Sequence, residues 1–212
     1  MYPTYARSER IADGTMHAIG VLGALTGAIL LMVWSADVAA PMQMLAIAVY
    51  GATLIATFAA SAMYHFTPWE NVRPLLRRFD HAAIYLKIAG TYTPLVVLIG
   101  SGFAYAVLSI VWTLAVVGVV LKLFFWRTPG RFGPALYLIM GWLSLALIWA
   151  LWPLVPVSAM ILMAVGGLLY TAGVPFYASE TMKFSIAIWH GFVVAASACF
   201  FAAITISVVA VA

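Results

Sequence analysis

Charged residues are scarce in this chain of 212 residues, where they make up 8% against 66% hydrophobic residues. Ordinary soluble domains carry about 25% charged residues, so this much apolar surface requires a medium other than water. Cysteine is scarcer still, because the single cysteine, Cys199, lies inside the last apolar segment. One thiol excludes an internal disulfide and any zinc site built from cysteines. The composition therefore predicts an integral membrane protein with membrane lipids as its partners.

Seven apolar windows follow one another along the sequence, and the breaks between them contain charges, prolines and glycines. They lie at about 16–37, 41–64, 80–100, 103–126, 132–152, 154–177 and 187–211. A bilayer core needs about 20 apolar residues per helix, so each window is long enough to cross it. The sequence predicts an all-α bundle of seven transmembrane helices in one domain, with loops too short to offer a large docking surface to a protein partner.

The basic residues predict the orientation of this bundle. Nine of the ten precede the first window or lie in or at the border of alternate breaks, on one side of the membrane. They are Arg7, Arg10, Arg73, Arg77, Arg78, Lys122, Arg127, Arg131 and Lys183. The positive-inside rule assigns this side to the cytoplasm, so the N-terminus is expected there and the C-terminus outside. Because these cations form no stripe with interleaved aromatic residues, nucleic-acid binding is not expected. Trp69, Trp126 and Trp152 lie near predicted span ends, where indole rings favour the interface.

A few ionisable side chains interrupt the apolar windows or lie at their ends, and each is a functional candidate because charge in hydrocarbon is costly. They are His17, His65, Asp80, His81, Lys87 and His190. The alternating directions of the spans bring His65, Asp80 and His190 toward the cytoplasmic face. Ser61 precedes His65 by one helical turn and shares its face. Two imidazoles and a carboxylate are ligand types that suit zinc, with a water or a hydroxyl completing the site.

Each of these residues also has a plainer interpretation. A lone histidine at a span end is more often an interfacial or packing residue than a ligand, and His17 and His81 are expected at the interface. Asp80 can cap the N-terminus of its helix. His81 is rotated about 100° from Asp80 and is not expected to share its target. Lys87, about 10 Å deeper than Asp80 on roughly the same face, can pair with Asp80 through water, line a polar pathway or snorkel to the interface.

Four segments together resemble a known family: SERIADGTMHAIG, SAMYHFTPW, RRFDHAAIYLKIAGTYTP and AIWHGFVVAASA. In order and spacing, over about residues 8–205, they resemble the hemolysin III branch of the progestin and adipoQ receptor family. The resemblance implies seven helices with a cytoplasmic N-terminus and an intramembrane zinc site near the cytoplasmic face. It also implies residence in the bacterial inner membrane.

The resemblance further implies roles for particular residues. The superfamily pattern is Ser-x-x-x-His, an Asp on the next helix and His-x-x-x-His on the last. Ser61 and Asp80 then take catalytic roles, and His65, His190 and Asp80 are the metal ligands. The earlier histidine of the last pair is replaced by Ile186, and another common histidine by Phe200. A zinc ion here would therefore lack one expected imidazole, unless another residue such as His17 supplies it.

Three functions remain open at this stage. The first is a zinc-dependent hydrolase of a lipid amide or ester. The second is a factor in membrane-fluidity homeostasis, which the hemolysin III resemblance implies and which lipid hydrolysis can serve. The third is a pore or ion-conducting protein, suggested by Lys87 inside a span. We expect the second role, with hydrolysis as its mechanism.

Overall fold

A computed structural model describes residues 6–125, 132–179 and 181–211, and within these ranges the chain is helical, without strands. The helices are α1 Arg7–Ser35, α2 Pro41–Phe66, α3 Arg73–Ile99, α4 Gly102–Phe124, α5 Phe132–Trp142, a 3₁₀ helix Leu143–Leu147, α6 Ile148–Leu151, α7 Val157–Tyr177 and α8 Ser185–Val211. The predicted all-α class is confirmed for this part of the chain. The residues Trp126, Arg127, Arg131 and Glu180 lie outside the described residues.

Six of these helices are long and apolar enough to cross a membrane: α1, α2, α3, α4, α7 and α8. The segment 135–151 is also apolar but shorter. Two of the tryptophans expected at the interface, Trp69 and Trp152, are 67% and 60% exposed. The chain is therefore a multi-pass membrane protein, whereas a seventh span and the orientation of the termini stay predictions.

Two helices extend well beyond their apolar windows at the same end of the bundle. Helix α1 begins at Arg7, where the Glu9 carboxylate accepts a hydrogen bond of 3.0 Å from the Ala6 backbone N–H. Helix α3 begins at Arg73, and Pro74 fits its first turn because the first N–H groups of a helix have no partner within it. Both extensions bring charged and polar side chains into helical register with the membrane-spanning residues.

The segment predicted as one helix over 132–152 is divided in the structure. Tyr92 on α3 donates its hydroxyl to the carbonyl of Met140 at 2.7 Å, and the same oxygen lies 2.9 Å from the carbonyl of Gly141. These two carbonyls precede the 3₁₀ helix Leu143–Leu147. A side chain inserted into the ladder of backbone hydrogen bonds is a recognised cause of such local rearrangement.

The helices form a ring in which consecutive members pack along their length. Helix α2 packs against α1 and α3, α8 packs against α7 and α1, and α5 bridges α3 and α7. Helix α4 packs on α3. Helices α2 and α3 approach closely at Gly90, where an added Cβ atom would lie 2.0 Å from the Thr53 hydroxyl. The contact of α8 with α1 joins the two ends of the chain, and the candidate site lies there.

Candidate metal centre

The polar residues near one end of the bundle come from four helices. Helices α1, α3 and α8 begin at this end and α2 finishes at it, so His17, His65, Asp80 and His190 lie at similar depth. All four are at least half-buried, and His17 is only 4% exposed. His17 therefore does not lie at the lipid interface as expected. Its ring faces inward because α1 presents it to both α2 and α8.

Three histidines form a compact cluster at the point where α1, α2 and α8 meet. The ring centroids of His17 and His190 are 4.3 Å apart, those of His65 and His190 4.7 Å, and those of His17 and His65 5.0 Å. One ring nitrogen from each lies within 4.8 Å of the others. Three imidazoles at this spacing can hold a metal ion, and His₃ is a ligand set used by catalytic zinc.

A single carboxylate, Asp13, contacts all three rings through their Nδ1 atoms. Its Oδ1 lies 2.6 Å from His190 Nδ1 and 3.5 Å from His17 Nδ1, and its Oδ2 lies 3.3 Å from His65 Nδ1. The Nδ1 of His17 also lies 2.9 Å from the backbone carbonyl of Asp13. With Nδ1 of each ring as the donor, each Nε2 keeps a lone pair for a ligand.

Ser61 and Asp80 border this cluster on the side of α3. The Ser61 hydroxyl lies 3.2 Å from His17 Nε2. The Asp80 carboxylate lies beside Ser61 and His65, and its Oδ2 is 3.4 Å from His81 Nδ1. Among the described residues, the group close enough to share one ion comprises the three histidines and does not include Asp80. A direct metal bond from Asp80 therefore stays a prediction.

The fourth histidine of the chain, His81, faces away from the cluster. Its Nδ1 lies 2.9 Å from the backbone carbonyl of Arg77 and its Nε2 lies 3.1 Å from the Tyr177 hydroxyl on α7. Tyr137 donates its hydroxyl to the His81 carbonyl at 3.0 Å. His81 is thus buried between α3, α5 and α7, not at the interface as expected.

The two positions at which the resemblance led us to expect further histidines have different surroundings. Ile186 lines a small pocket at the cluster, together with Asp13 and His65. Phe200 lies far along α8, where its ring packs against Gly166 and stacks on Tyr170 at a centroid distance of 6.0 Å. Position 186 is therefore close enough to contribute to the centre, whereas position 200 belongs to the α7–α8 packing.

Lys87 lies apart from the histidines, in the middle of the bundle. Its ammonium donates a hydrogen bond of 2.7 Å to the Ser197 hydroxyl on α8. It also lies 4.9 Å from the ring centroid of Phe58 and 5.1 Å from that of Tyr170, distances typical of cation–π contact. The residue is 6% exposed, so the ammonium does not snorkel to an interface.

Sequence reasoning missed Asp13 and placed His17 outside the cluster. Asp13 precedes the apolar window at 16–37, so it is not among the ionisable residues that interrupt or end a window. The signal that identifies it is the spacing of four residues between Asp13 and His17, which places both on one face once α1 begins at Arg7.

A polytopic α-helical membrane protein with a buried histidine cluster at one end of its bundle is the class that this fold and site define. Comparison with known proteins then identifies the family. Residues 5–201 match the family model described as "Haemolysin-III related", and the chain belongs to this family. The resemblance noted in the sequence is thereby confirmed.

Three relatives illustrate the range of the similarity. The chain is 33% identical over 195 residues to "Hemolysin-3 homolog" of Bacillus subtilis (strain 168), with 91% of each chain covered. It is 34% identical over 194 residues to "Hemolysin-3" of Bacillus cereus, covering 91% of this chain and 89% of that one. It is 29% identical over 214 residues to human "Monocyte to macrophage differentiation factor", covering 92% and 83%. The chain is a multi-pass protein of the plasma membrane, which in bacteria is the inner membrane. Its apolar helices and its similarity to bacterial relatives support this location.

Proposed function

We propose that this protein is a zinc-dependent intramembrane hydrolase of lipid amides or esters that contributes to membrane lipid and fluidity homeostasis. The observation that carries the proposal is the contact of one carboxylate, Asp13, with three buried imidazoles from two other helices and its own. Burying ionisable side chains inside a membrane protein costs free energy, so such a cluster is a candidate functional site.

The donor set fits zinc in its chemistry. Imidazole nitrogen is a preferred zinc ligand, and the three rings already lie close to one another before any ion is considered. Ligating histidines characteristically donate their other ring N–H to a carboxylate or carbonyl, and Asp13 supplies both groups here. We therefore assign His17, His65 and His190 as the ligands, so that His17 supplies the imidazole that Ile186 lacks.

A zinc ion held by the three histidines would supply a water nucleophile of lowered pKa. Asp80 would accept a proton from that water, since its carboxylate lies next to His65 and Ser61. Ser61 lies between Asp80 and His17, and its hydroxyl orients the carboxylate. Direct coordination by Asp80 is the alternative arrangement of the same residues.

The proposal also includes a topology of seven spans with the histidine cluster near the cytoplasm. The segment 135–151, which the 3₁₀ helix divides, serves as the fifth of seven spans between α4 and α7. Arg7, Arg10 and Arg73 lie at the histidine end, and by the positive-inside rule they support a cytoplasmic location for that end. The centre then lies near the cytoplasmic face, within reach of lipids of the inner leaflet.

Fatty-acid release from reconstituted vesicles tests the hydrolase directly. Protein would be placed in phosphatidylcholine vesicles that contain ceramide or diacylglycerol, with zinc present, and free fatty acid would be measured by mass spectrometry. We expect release by the wild type and by His81→Ala, and loss of release in His65→Ala and His190→Ala. Asp80→Asn is expected to lower the rate by about 10²–10⁴-fold, the range for a general base. No release by folded, zinc-loaded wild type from either lipid would contradict the hydrolase.

A deletion strain tests the physiological role. We expect altered membrane order, measured with a polarity-sensitive dye, and its restoration by the wild type but not by His65→Ala. Restoration by both would separate the homeostatic role from the histidine centre.

A further inference from the structure

A groove between α1 and α2 connects the membrane-facing surface with the histidine cluster. It has a volume of about 280 Å³, is widely open on one side, and His17 is among the residues that line it. Its walls are apolar: α1 contributes Gly14, Ala18 and Leu22, and α2 contributes Ala62 and Phe66. Leu22 is 64% exposed, so the groove opens to whatever surrounds the bundle.

A second, smaller pocket shares Phe66 with the groove. Glu9, Arg10 and Asp13 line it from α1, and His65 lines it from α2. Phe66 contributes to both spaces and contacts the His17 ring edge-on at a centroid distance of 5.1 Å. The histidine cluster is thus bordered by an apolar groove and by a smaller pocket with both charged and apolar walls.

The membrane lipids around the bundle determine what can occupy the groove. Helices α1 and α2 are long and apolar enough to cross the bilayer, and Leu22 and Ala62 lie inside their apolar windows, so the groove beside these two residues faces hydrocarbon. Water is not stable in a space with mostly apolar walls, because it needs several polar partners. An empty space of this size would forfeit the dispersion contacts of its walls. Acyl chains of the surrounding lipids are the material present that can fill it.

We infer that the α1–α2 groove is the acyl-chain subsite of the proposed hydrolase, through which the chain of a bilayer lipid enters laterally and reaches His17. The lipid's amide or ester linkage then lies at the histidine cluster. Gly14 keeps this path open, because a side chain at position 14 would project toward Phe66, whose ring is 3.5 Å from the added Cβ. The inference rests on the proposed function for the linkage, but lipid entry itself is independent of catalysis.

Photochemical labelling in a bilayer tests the subsite. The intact protein would be reconstituted in phosphatidylcholine vesicles that contain a small fraction of phosphatidylcholine with a diazirine on its acyl chain. After irradiation, labelled residues would be mapped by mass spectrometry. His81 is the internal control, because it is a histidine of similar burial that does not line the groove. We expect His17 to be labelled severalfold more than His81.

Two substitutions at glycine on α1 form a matched pair. Gly14→Leu places a side chain in the groove, whereas Gly23→Leu places the same side chain at a position with no atom within 4 Å of the added Cβ. Gly14→Leu is expected to lower the labelling of His17 severalfold, and Gly23→Leu to leave it unchanged. Ala62→Leu, which narrows the groove from α2, is expected to act like Gly14→Leu and replaces it as the test should Gly14→Leu fail to fold.

The outcomes separate the subsite from the hydrolase. Equal labelling of His17 and His81, or labelling of His17 that neither groove variant lowers, would overturn the subsite. Groove-dependent labelling in a wild type that hydrolyses no lipid would support lipid entry and contradict the hydrolase. Fatty-acid release together with equal labelling would leave the hydrolase standing and show that its substrate enters elsewhere.

Discussion

The Nδ1 atom of His190 lies 2.6 Å from Oδ1 of Asp13, a contact that joins the last helix of the bundle to the first. The same carboxylate reaches His65 on α2 and His17 one turn further along α1. Asp13 therefore sets the orientation of three rings at once. A carboxylate of this kind fixes the tautomer of each imidazole and increases its basicity as a ligand.

Asp13→Asn should weaken metal binding while preserving the shape of the side chain. The amide carries no charge and has one accepting oxygen in place of two, so it cannot accept hydrogen bonds from all three rings as the carboxylate does. We expect metal affinity to fall by about 10- to 100-fold, the usual effect of removing such a partner. Competition with a chelator of known affinity measures the change. Asp37→Asn, on the exposed loop after α1, is the matched control and should bind like the wild type. Equal affinity of Asp13→Asn and the wild type would show that the carboxylate does not act on the ligands.

His17→Ala should remove one of three ligands, and a histidine at position 186 should replace it. Ile186 lies one turn before His190 and lines the pocket with Asp13 and His65. We expect little zinc in His17→Ala and restored zinc in the double variant His17→Ala/Ile186→His. Zinc per protein, measured by elemental mass spectrometry on monodisperse samples, tests this. Full zinc occupancy in the single variant His17→Ala would instead mean that His17 is not a ligand.

The sequence predicts only part of this site, because apolar windows mark where a helix contacts lipid and not where the helix begins or ends. His65, Asp80 and His190 fall at the ends of apolar windows, so the alternation of span directions is enough to place them at one depth. Asp13 lies outside its window, and only the start of α1 at Arg7 brings it into register with His17. Hydropathy measures where lipid contact ends, whereas a helix can continue beyond that point.

The break near residue 143 was beyond sequence reasoning for a different reason. The segment 132–152 is predominantly apolar and contains no proline between Pro134 in its first turn and Pro153, so local propensity favours one helix. The interruption accompanies a tertiary contact from the Tyr92 hydroxyl to two carbonyls. Contacts of this kind depend on which helices are neighbours, and hydrophobic periodicity carries no such information.

Lys87→Met should leave the protein folded and reveal no ion pathway. Lys87 is enclosed by Ser197 and the rings of Phe58 and Tyr170, and burying its charge is costly. We therefore expect Lys87→Met to unfold in detergent at an equal or higher temperature. Ser197→Ala, which removes the acceptor, should destabilise by about 1–3 kcal/mol. Potassium flux from vesicles that contain the wild type or Lys87→Met should match the flux from protein-free vesicles. A flux that the wild type supports and Lys87→Met abolishes would favour the pore instead.

Gly90→Ala should loosen the crossing of α2 and α3. The added Cβ would lie 2.0 Å from the Thr53 hydroxyl and 2.9 Å from the Thr53 Cβ, so one helix must move. Overpacking of this kind costs about 1–3 kcal/mol. A lowered thermal midpoint in detergent is the expected result. Gly141→Ala is the control, since nothing lies within 4 Å of its added Cβ. Equal midpoints for the two variants would show that the crossing adapts without cost.

Zinc content of the four single histidine variants tests the centre most directly, because the chain contains only four histidines. Wild type, His17→Ala, His65→Ala, His190→Ala and His81→Ala would be purified in detergent after zinc supplementation and measured by elemental mass spectrometry. Near-stoichiometric zinc in the wild type and His81→Ala, with loss in the other three, is the predicted result. A well-folded wild type without zinc, or equal zinc in all five proteins, would contradict a metal centre at His17, His65 and His190.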